Sequence, residues 1–362
     1  MNTVVLHKKI LVAPLDWGLG HATRCVAIVR HLQELNCDIT IAASGKIKSL
    51  LQNEFPHLAF LDLPGYHISY SEFKRFLALK ILIQIPKILK IIQFEYKWLD
   101  NILQAQHFDA VISDNRFGFY NQDVVSVFIT HQLLIKTNIA WLDKKLQRLN
   151  YKYITHFKQC WIPDFKEELN IAGELSHPKI LPQIPVKYLG PLSRFRKTQN
   201  NKLRFKWMAI ISGPEPQRTL LEKKILDVAA ITNEQFLIVR GLPGESKNNF
   251  NLANCKVFNH LSTQEMQHAI ESSEYIISRC GYTTVMEVLS LQKKSVFIPT
   301  PGQTEQEYLA QHLSKQNWSY TFNQNEDFLM HLEKAQQYQY KLPEINTELY
   351  KAVLKDFVQS LH

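Results

Sequence analysis

Two short stretches near the C-terminus concentrate side chains that could bind a phosphorylated ligand. The first is RCGYTTVME, from Arg279 to Glu287, and the second is PTPGQTEQ, from Pro299 to Gln306. In the first stretch, an arginine and a glycine precede two threonines and a helix-forming run. Backbone N–H groups and hydroxyls at a helix N-terminus can hold a diphosphate, so we predict an anion site here.

The residues of these stretches have distinct predicted partners. Gly281, Thr283 and Thr284 lie at the helix N-terminus, against the phosphates. Glu287 lies one turn further along, where a carboxylate can accept hydrogen bonds from two vicinal ribose hydroxyls. The pair Glu305–Gln306 starts the next predicted helix and offers acceptors and a donor to hexose hydroxyls. In chain order these groups fit a nucleotide sugar, and a capping box or a packed threonine would explain single members but not the set.

A second candidate site follows the first predicted strand, in the loop LDWGLGHATR, Leu15 to Arg24. Gly18 and Gly20 permit a tight turn and a close backbone approach to an acceptor. His21 opens the following helix, where an imidazole can take a proton from a hydroxyl or from water; the alternative is a histidine that caps the helix or fills the turn. The loop is not a dinucleotide fingerprint, because the third glycine of GxGxxG is missing.

Two other loops of the first half also follow predicted strands. They are SDNRFG, Ser113 to Gly118, and THQL, Thr130 to Leu133. We expect Asp114 and His131 to point into an interdomain cleft, with Asp114 as a second candidate base or as the group that orients His21, and His131 as an acceptor contact. The alternative is structural, because an aspartate at a strand end is often the N-cap of the next helix.

Composition limits the class of protein. With 362 residues, 45% hydrophobic and 21% charged, the chain reads as a globular protein of two compact domains. Its five scattered cysteines include no CxxC pair, which argues against a disulfide framework and a structural zinc site. The formal charge of +9 favours an anionic partner, but no compact cluster of lysine and arginine with interleaved aromatics indicates nucleic acid.

The longest apolar region is FLALKILIQIPKILKIIQFEYKWL, Phe76 to Leu99. Lysines and Pro86 interrupt it, so it does not form a charge-free membrane span. Lysines among isoleucines and leucines, followed by aromatic residues, are typical of a basic amphipathic segment that lies on a membrane surface. A core helix kinked at Pro86, with its lysines extended to solvent, is the alternative.

Short apolar runs alternate with amphipathic helical stretches in both halves of the chain, which predicts parallel sheets covered by helices on both faces. The strand candidates are Lys9–Leu15, Asp38–Ser44, Ala59–Pro64, Asp109–Asp114, Val124–His131, Trp207–Gly213, Gln235–Gly241, Lys256–Leu261, Glu274–Arg279 and Lys294–Thr300. The polar, basic stretch GPLSRFRKTQNNK separates the two series. We therefore predict an N-terminal domain over 1–190, a linker over 191–203 and a C-terminal domain over 204–362.

The segment RCGYTTVMEVLSLQKKSVFIPTPGQTEQ, residues 279–306, resembles the donor-binding signature of two-domain, GT-B-type glycosyltransferases. This signature occurs in the UDP-glycosyltransferases and in the family 28-like N-acetylglucosaminyltransferase that makes lipid II. The resemblance implies that Arg279 contacts the diphosphate, that Thr283–Thr284 supply phosphate-binding hydroxyls and that Glu287 clamps the ribose. It also implies that Glu305–Gln306 contact the donor-sugar hydroxyls.

Two further segments extend the resemblance. ISGPEPQR, Ile210 to Arg218, contains Gly213 and is placed like the loop after the first strand of the donor domain; FNHL, Phe258 to Leu261, is placed like the segment whose backbone reads the base. The first loop departs from the GGxGGH form of the lipid II enzyme, and GLGHATR is more similar to the GxGHxxR of a nucleotide-sugar hydrolase. The acceptor region, Tyr66 to Trp98, is not covered.

The sequence as a whole predicts an α/β protein of the GT-B fold, with two Rossmann-like doubly wound domains facing across a cleft. The predicted activity is transfer of a hexose or N-acetylhexosamine from a nucleotide sugar, a UDP-sugar, to a hydroxyl of a lipid-linked or cell-envelope acceptor. The alternatives are a UDP-sugar hydrolase that uses His21 to activate water and a non-catalytic nucleotide-sugar-binding protein. We expect no metal or other cofactor, no nucleic-acid partner, and a cytoplasmic enzyme that attaches to an anionic membrane surface. The oligomeric state is not readable from the sequence.

Overall fold

The computed structural model describes residues 7–66, 77–137, 139–167, 169–196, 202–242 and 252–361, without the side chains of 77–85. The chain divides into two compact units. The described residues of the first unit fall in Met1–Ser69, Ala78–Leu192 and Asn346–His362, and the second unit is made largely of Ser193–Ile345.

A seven-stranded sheet forms the centre of the first unit. Its strands are β1 (Lys9–Pro14), β2 (Asp38–Ala43), β3 (Ala59–Asp62), β4 (Ala110–Asp114), β5 (Val125–Ile129), β6 (Gln159–Ile162) and β7 (Val186–Tyr188). The strand order is β3-β2-β1-β4-β5-β6-β7, and every pairing is parallel. β1 and β4 are therefore neighbours at the centre of the sheet. The chain adds β2 and β3 on one side of β1, and then β4 to β7 on its other side.

Five helices cover this sheet. They are α1 (Leu19–Glu34), α2 (Gly45–Glu54), α3 (Leu77–Ala105), α4 (Ala140–Ile154) and α10 (Leu349–Ser360). Right-handed crossovers place α1 and α2 on one face of the sheet and α3 and α4 on the other. Strands β1 and β4 are almost wholly buried between these layers, which explains their continuous apolar sequences.

The second unit repeats this architecture around six parallel strands. They are β8 (Phe205–Ile210), β9 (Phe236–Val239), β10 (Cys255–Phe258), β11 (Ser273–Ser278), β12 (Lys294–Phe297) and β13 (Tyr320–Thr321), in the order β10-β9-β8-β11-β12-β13. Its helices are α5 (Gln217–Ile231), α6 (Thr263–Glu271), α7 (Tyr282–Ser290), α8 (Thr304–Lys315) and α9 (Phe328–Gln337). A buried apolar cluster that includes Trp207, Ile225, Phe236 and Ile277 packs these helices onto the sheet.

The two parallel α/β sheets confirm the predicted fold class, and each of the ten predicted strands is present. Three strands were not predicted: β6, β7 and β13. β7 and β13 are three and two residues long, too short to show a periodic pattern, and each is an edge strand with only one neighbour.

The unit boundaries differ from the predicted domain boundaries at two places. The C-terminal residues Asn346–His362 belong to the first unit, because α10 packs against α1. The predicted linker, 191–203, is not an exposed connection at its start, because Ser193 and Phe195 are buried within the second unit.

Part of the predicted acceptor region, residues 67–76, lies outside the described residues. Within the described part of the chain, no helix has the length and hydropathy needed to cross a bilayer.

Candidate active and donor sites

In each unit, two neighbouring strands are followed by connections that run toward opposite edges of the sheet, which makes the place between them a topological switch point. In the first unit this switch point lies between β1 and β4, and in the second it lies between β8 and β11. Ligands of open parallel sheets bind beyond the carboxyl ends of the strands at such points. The loops after these four strands carry most of the predicted site residues.

His21, Asp114 and Arg24 form one cluster at the switch point of the first unit. His21 Nδ1 lies 3.2 Å from Asp114 Oδ1, and Arg24 Nε donates to Asp114 Oδ2 at 2.7 Å. Arg24 Nη2 also contacts Asp114 Oδ1 and lies 2.9 Å from His21 Nδ1. Asp114 is fully buried and Arg24 is 2% exposed, whereas the side chain of His21 is 16% exposed. The histidine is thus the member of the cluster that solvent or a substrate can reach.

The tautomer of His21 decides what this cluster can do. When Nδ1 carries the proton, it donates to Asp114 and leaves the lone pair on Nε2 available as a base. When Nδ1 has no proton, it accepts from Arg24 and the proton sits on Nε2. His21 Nε2 has no partner among the residues that the structure describes, so the first tautomer presents an unoccupied base.

Electrostatics in the cluster keep the carboxylate charged and the imidazole neutral. Burial alone would raise the pKa of Asp114, but Arg24 and His21 outweigh it and hold that pKa well below its usual range. Burial lowers the pKa of His21, and Arg24 lowers it further, against the opposing effect of Asp114. A neutral imidazole beside a fixed carboxylate is the arrangement that a general base requires.

The structure favours a role for Asp114 in orienting His21 over a role as the N-cap of a helix. The carboxylate contacts His21 and Arg24, and no helix begins within 115–124 for it to cap. His131 is also buried, and its Nδ1 lies 3.3 Å from Arg24 Nη1. The predicted acceptor contact of His131 therefore competes with a bond inside the cluster.

The two glycines of the first loop differ in role. Gly18 has φ +136°, a backbone conformation that L side chains rarely adopt, and precedes α1. Gly20 was predicted to form the turn, but it lies inside the first turn of α1, where its carbonyl accepts from the Thr23 hydroxyl. The helix begins two residues before His21, so His21 lies on its first turn.

The switch point of the second unit is an open helix N-terminus. Gly281 precedes α7, and a Cβ built on it would meet no atom within 4 Å. Thr283 and Thr284 lie in the first turn of α7, as predicted. Gly213, after β8, has φ +108°, and a Cβ there would lie 3.8 Å from the hydroxyl of Thr300. That hydroxyl is buried and forms no hydrogen bond among the described residues, so a polar ligand group could satisfy it.

Arg279 is buried beside this helix N-terminus, and four of its five N–H groups have partners. Nη1 donates to the carbonyls of Ile298 at 3.2 Å and Pro299 at 3.4 Å. Nη2 donates to the carbonyl of Gln217 at 2.6 Å and to the side chain of Gln324. Only Nε–H is buried without a partner in the described chain. Burial lowers the pKa of Arg279 to about 10, so the group remains charged at neutral pH but does not reach outward as a fork.

Glu287 is buried on α7 and pairs with an arginine from the predicted linker. Its Oε1 accepts from Arg194 Nε at 2.8 Å, and both side chains are 9% exposed. Burial raises the pKa of Glu287, and the charge of Arg194 opposes that rise. Oε2 has no hydrogen-bond partner among the described residues.

Glu305 and Gln306 start α8, as predicted, but they differ in their contacts. The charge of Glu305 adds to the effect of burial in raising the pKa of the Cys280 thiol, which places its carboxylate near the start of α7. Gln306 turns into its own loop: its Oε1 accepts from the Thr300 N–H at 2.9 Å, and its Nε2 donates to Gln303. In this structure the amide of Gln306 orders the loop after β12.

Sequence reasoning missed two charged residues that these sites depend on. Arg24 stands three residues after His21 on α1, and an i, i+3 pair on one helix face was the signal available for it. Arg194 gave no usable signal, because its partner Glu287 is 93 residues away in the chain. Within the described residues, no group of three or more His, Cys, Asp or Glu is arranged to hold a metal ion.

Comparison with known proteins finds relatives for the C-terminal part of the chain and for most of its length. Residues 214–356 match the glycosyltransferase family 28 C-terminal domain. The chain is also 26% identical, over 289 residues, to a protein of Clostridium perfringens named UDP-N-acetylglucosamine--N-acetylmuramyl-(pentapeptide) pyrophosphoryl-undecaprenol N-acetylglucosamine transferase. That alignment covers 77% of this chain and 75% of the relative.

Solved structures match the whole fold. The kitacinnamycin glycotransferase superposes with a TM-score of 0.65 at 10% identity, covering 98% of this chain and 95% of its own. The spinosyn rhamnosyltransferase SpnG superposes with a TM-score of 0.62 at 12% identity, covering 98% and 96%. At these identities the likeness shows the fold alone. The chain is therefore a glycosyltransferase with the GT-B fold, and its residues 214–356 are similar to the family 28 C-terminal domain.

Proposed function

We propose that the protein transfers a hexose or N-acetylhexosamine from a UDP-sugar to a hydroxyl of a lipid-linked acceptor. The observation that carries the catalytic part is the contact between His21 and the buried carboxylate of Asp114. A protein that only binds nucleotide sugars needs no oriented base. The pair therefore favours a catalyst over a sensor.

In the proposed reaction, His21 Nε2 removes the proton from the acceptor hydroxyl as its oxygen attacks the anomeric carbon of the donor. The bond between that carbon and the diphosphate oxygen breaks, and the nucleoside diphosphate leaves with the electron pair. Asp114 stabilises the imidazolium that forms. The imidazolium then releases its proton to solvent, which regenerates the neutral base. A positioned base of this kind contributes about 100- to 10,000-fold to the rate.

The second unit would bind the donor. The N-terminus of α7 presents backbone N–H groups and a positive dipole end to the diphosphate, and Arg279 adds a buried charge through its one unpaired N–H. Glu287 Oε2 would accept from the ribose. These groups would stabilise the leaving diphosphate without a metal, so we propose that turnover persists in EDTA.

A lipid-linked acceptor is supported by the described part of α3. Leu89 and Phe94 are exposed there, 38% and 44%, beside the exposed Lys90 and Lys97. Exposed apolar and cationic groups on one helix fit an anionic membrane surface. The name of the Clostridium perfringens relative includes pyrophosphoryl-undecaprenol, a lipid-linked diphosphate. We propose that the enzyme works at the membrane surface on the cytoplasmic side.

Nucleotide release from a panel of UDP-, GDP- and dTDP-sugars, with and without a polyprenyl-lipid extract, tests the proposal. We expect UDP release that depends on the extract and that falls by 100-fold or more in His21→Ala and Asp114→Asn, with donor binding retained. Release that is stoichiometric and indifferent to the extract would instead identify a UDP-sugar hydrolase. Unchanged turnover in His21→Ala would remove the histidine from the mechanism.

A further inference from the structure

Trp17 is a large aromatic side chain that the first loop holds in solvent. It is 43% exposed and lies four residues before His21, between β1 and α1. Single exposed apolar residues are common on protein surfaces and need no function. Trp17 differs from them because it packs on Tyr66, which is itself held by a buried ion pair.

The first layer of support is Tyr66. The Trp17 and Tyr66 rings meet edge to face, with centroids 5.9 Å apart and planes at 90°. The backbone N–H of Tyr66 donates to Asp16 Oδ1 at 2.9 Å, which ties the segment after β3 to the Trp17 loop. Gly65 makes this approach feasible, because a Cβ at that position would collide with the Asp16 carboxylate.

The second layer is a buried ion pair. Tyr66 is 1% exposed, and its hydroxyl donates to Glu95 Oε2 at 2.7 Å. Glu95 Oε1 accepts from Arg116 Nη1 at 2.8 Å, and both charged side chains are fully buried. Arg116 Nε in turn donates to the carbonyl of Pro14, the last residue of β1, at 2.8 Å. Burying two charges has a large desolvation cost, so their best-supported use is to specify one arrangement of the loops.

From this geometry we propose that Trp17 and Asp16 form an acceptor subsite for a pyranose ring, so that the attacking hydroxyl belongs to a carbohydrate. The indole face packs against the apolar C–H face of the sugar, and the half-buried carboxylate of Asp16 accepts hydrogen bonds from its hydroxyls. The same carboxylate repels a phosphate, which excludes the diphosphate of a lipid carrier from this position. This inference rests on the proposed transfer reaction and names its acceptor.

Acceptor kinetics of the full-length chain test the inference. The probes are methyl glycosides of glucose, galactose and N-acetylglucosamine, with the UDP-sugar that supports turnover. In Trp17→Ala we expect the acceptor KM to rise about tenfold or more, with the donor KM unchanged and the thermal midpoint retained. Trp17→Phe should recover most of the loss. An acceptor KM that stays within about twofold of wild type in Trp17→Ala would overturn the proposal.

Trp141→Ala is the matched control, because Trp141 is 61% exposed in the same unit. The Lys145 ammonium, 5.0 Å from the ring centroid, is the only cationic or aromatic group that meets its ring in the described chain. An equal effect there would show general surface damage and contradict the subsite.

Octyl glycosides with the same sugars separate two sources of the pyranose ring. A lower KM for the octyl than for the methyl glycosides indicates a glycolipid headgroup, and an equal KM indicates a free saccharide. Use of farnesyl phosphate with no use of any glycoside would overturn the proposal.

A binding measurement separates this inference from the proposed reaction. Titration of the methyl glycosides should quench the tryptophan emission of the wild-type chain and not that of Trp17→Phe. Quenching without turnover on any donor would support the subsite and refute the transfer reaction. Turnover on glycosides without a Trp17-dependent signal would refute the subsite alone.

Discussion

At the scale of residues, the catalytic proposal depends on opposing effects on one imidazole. Burial and Arg24 favour the neutral form of His21, while Asp114 favours the protonated form. The first two effects are stronger, so the pKa of His21 lies below its ordinary value of 6.5. A base that is neutral before the reaction and stabilised once protonated needs this balance.

The pH dependence of turnover follows from that direction. The rate should be constant near neutral pH and fall on acidification, because protonated His21 cannot accept a proton. We expect the midpoint of the acid limb of kcat/KM to lie below pH 6.5. In Asp114→Asn the limb should move to still lower pH while kcat falls, since Asp114 raises the pKa of His21. An acid limb above pH 6.5 in the wild type would contradict the assignment of His21 as the base.

At the scale of elements, the proposed donor site uses one end and one face of α7. Its N-terminus is open at Gly281, and its buried face carries Glu287 toward Arg194. The open end can bind an anion because the first N–H groups of a helix have no partner within it. The buried face links α7 to Arg194, near the start of the second unit.

Gly281→Ala tests the open end. Gly281 has φ −76° and no neighbour near a built Cβ, so alanine fits without strain and the thermal midpoint should not fall. The added methyl group would occupy the space proposed for the diphosphate, so we expect the KM for the nucleotide sugar to rise about tenfold, or about 1.4 kcal/mol. Gly213→Ala is the contrast, because its φ of +108° predicts loss of stability as well. Wild-type donor affinity in Gly281→Ala would place the diphosphate elsewhere.

Arg194→Ala tests the buried face. Removing the arginine leaves Glu287 buried without its cation, which typically costs about 3–5 kcal/mol of unfolding free energy. We expect urea unfolding at a lower midpoint together with weaker donor binding. The double variant Arg194→Ala with Glu287→Gln should regain much of the stability but not the donor affinity, because the neutral amide needs no cation and no longer offers a carboxylate to ribose. Recovery of both quantities would contradict the ribose assignment.

At the scale of the whole molecule, the chain ends in the unit where it began. Helix α10 packs on the first unit: the Phe357 and Trp161 rings meet edge to face with centroids 5.0 Å apart, and His31 Nε2 lies 3.2 Å from the Lys351 carbonyl. Leu354 and Phe357 are completely buried. The last helix is therefore part of the first core, even though it follows the second unit in sequence.

Phe357→Ala should destabilise that core by about 3–5 kcal/mol, because it removes a fully buried ring and leaves a cavity beside Trp161. Chemical denaturation measured by tryptophan fluorescence would detect the change. Lys355→Ala, at an exposed position of the same helix, is the matched control and should stay within about 0.5 kcal/mol of wild type. Equal effects of the two substitutions would show that α10 does not complete the first core.

The sequence by itself determined the alternation of strands and helices and the loops that carry the candidate site residues, because the period of apolar residues and the turn residues between elements are local features of the chain. Only the tertiary structure decided how the charged side chains pair. Arg24 meets Asp114 across 90 residues, Arg194 meets Glu287 across 93, and Arg279 meets Gln324 across 45. Such pairings depend on how strands order within a sheet, and no local pattern specifies that order.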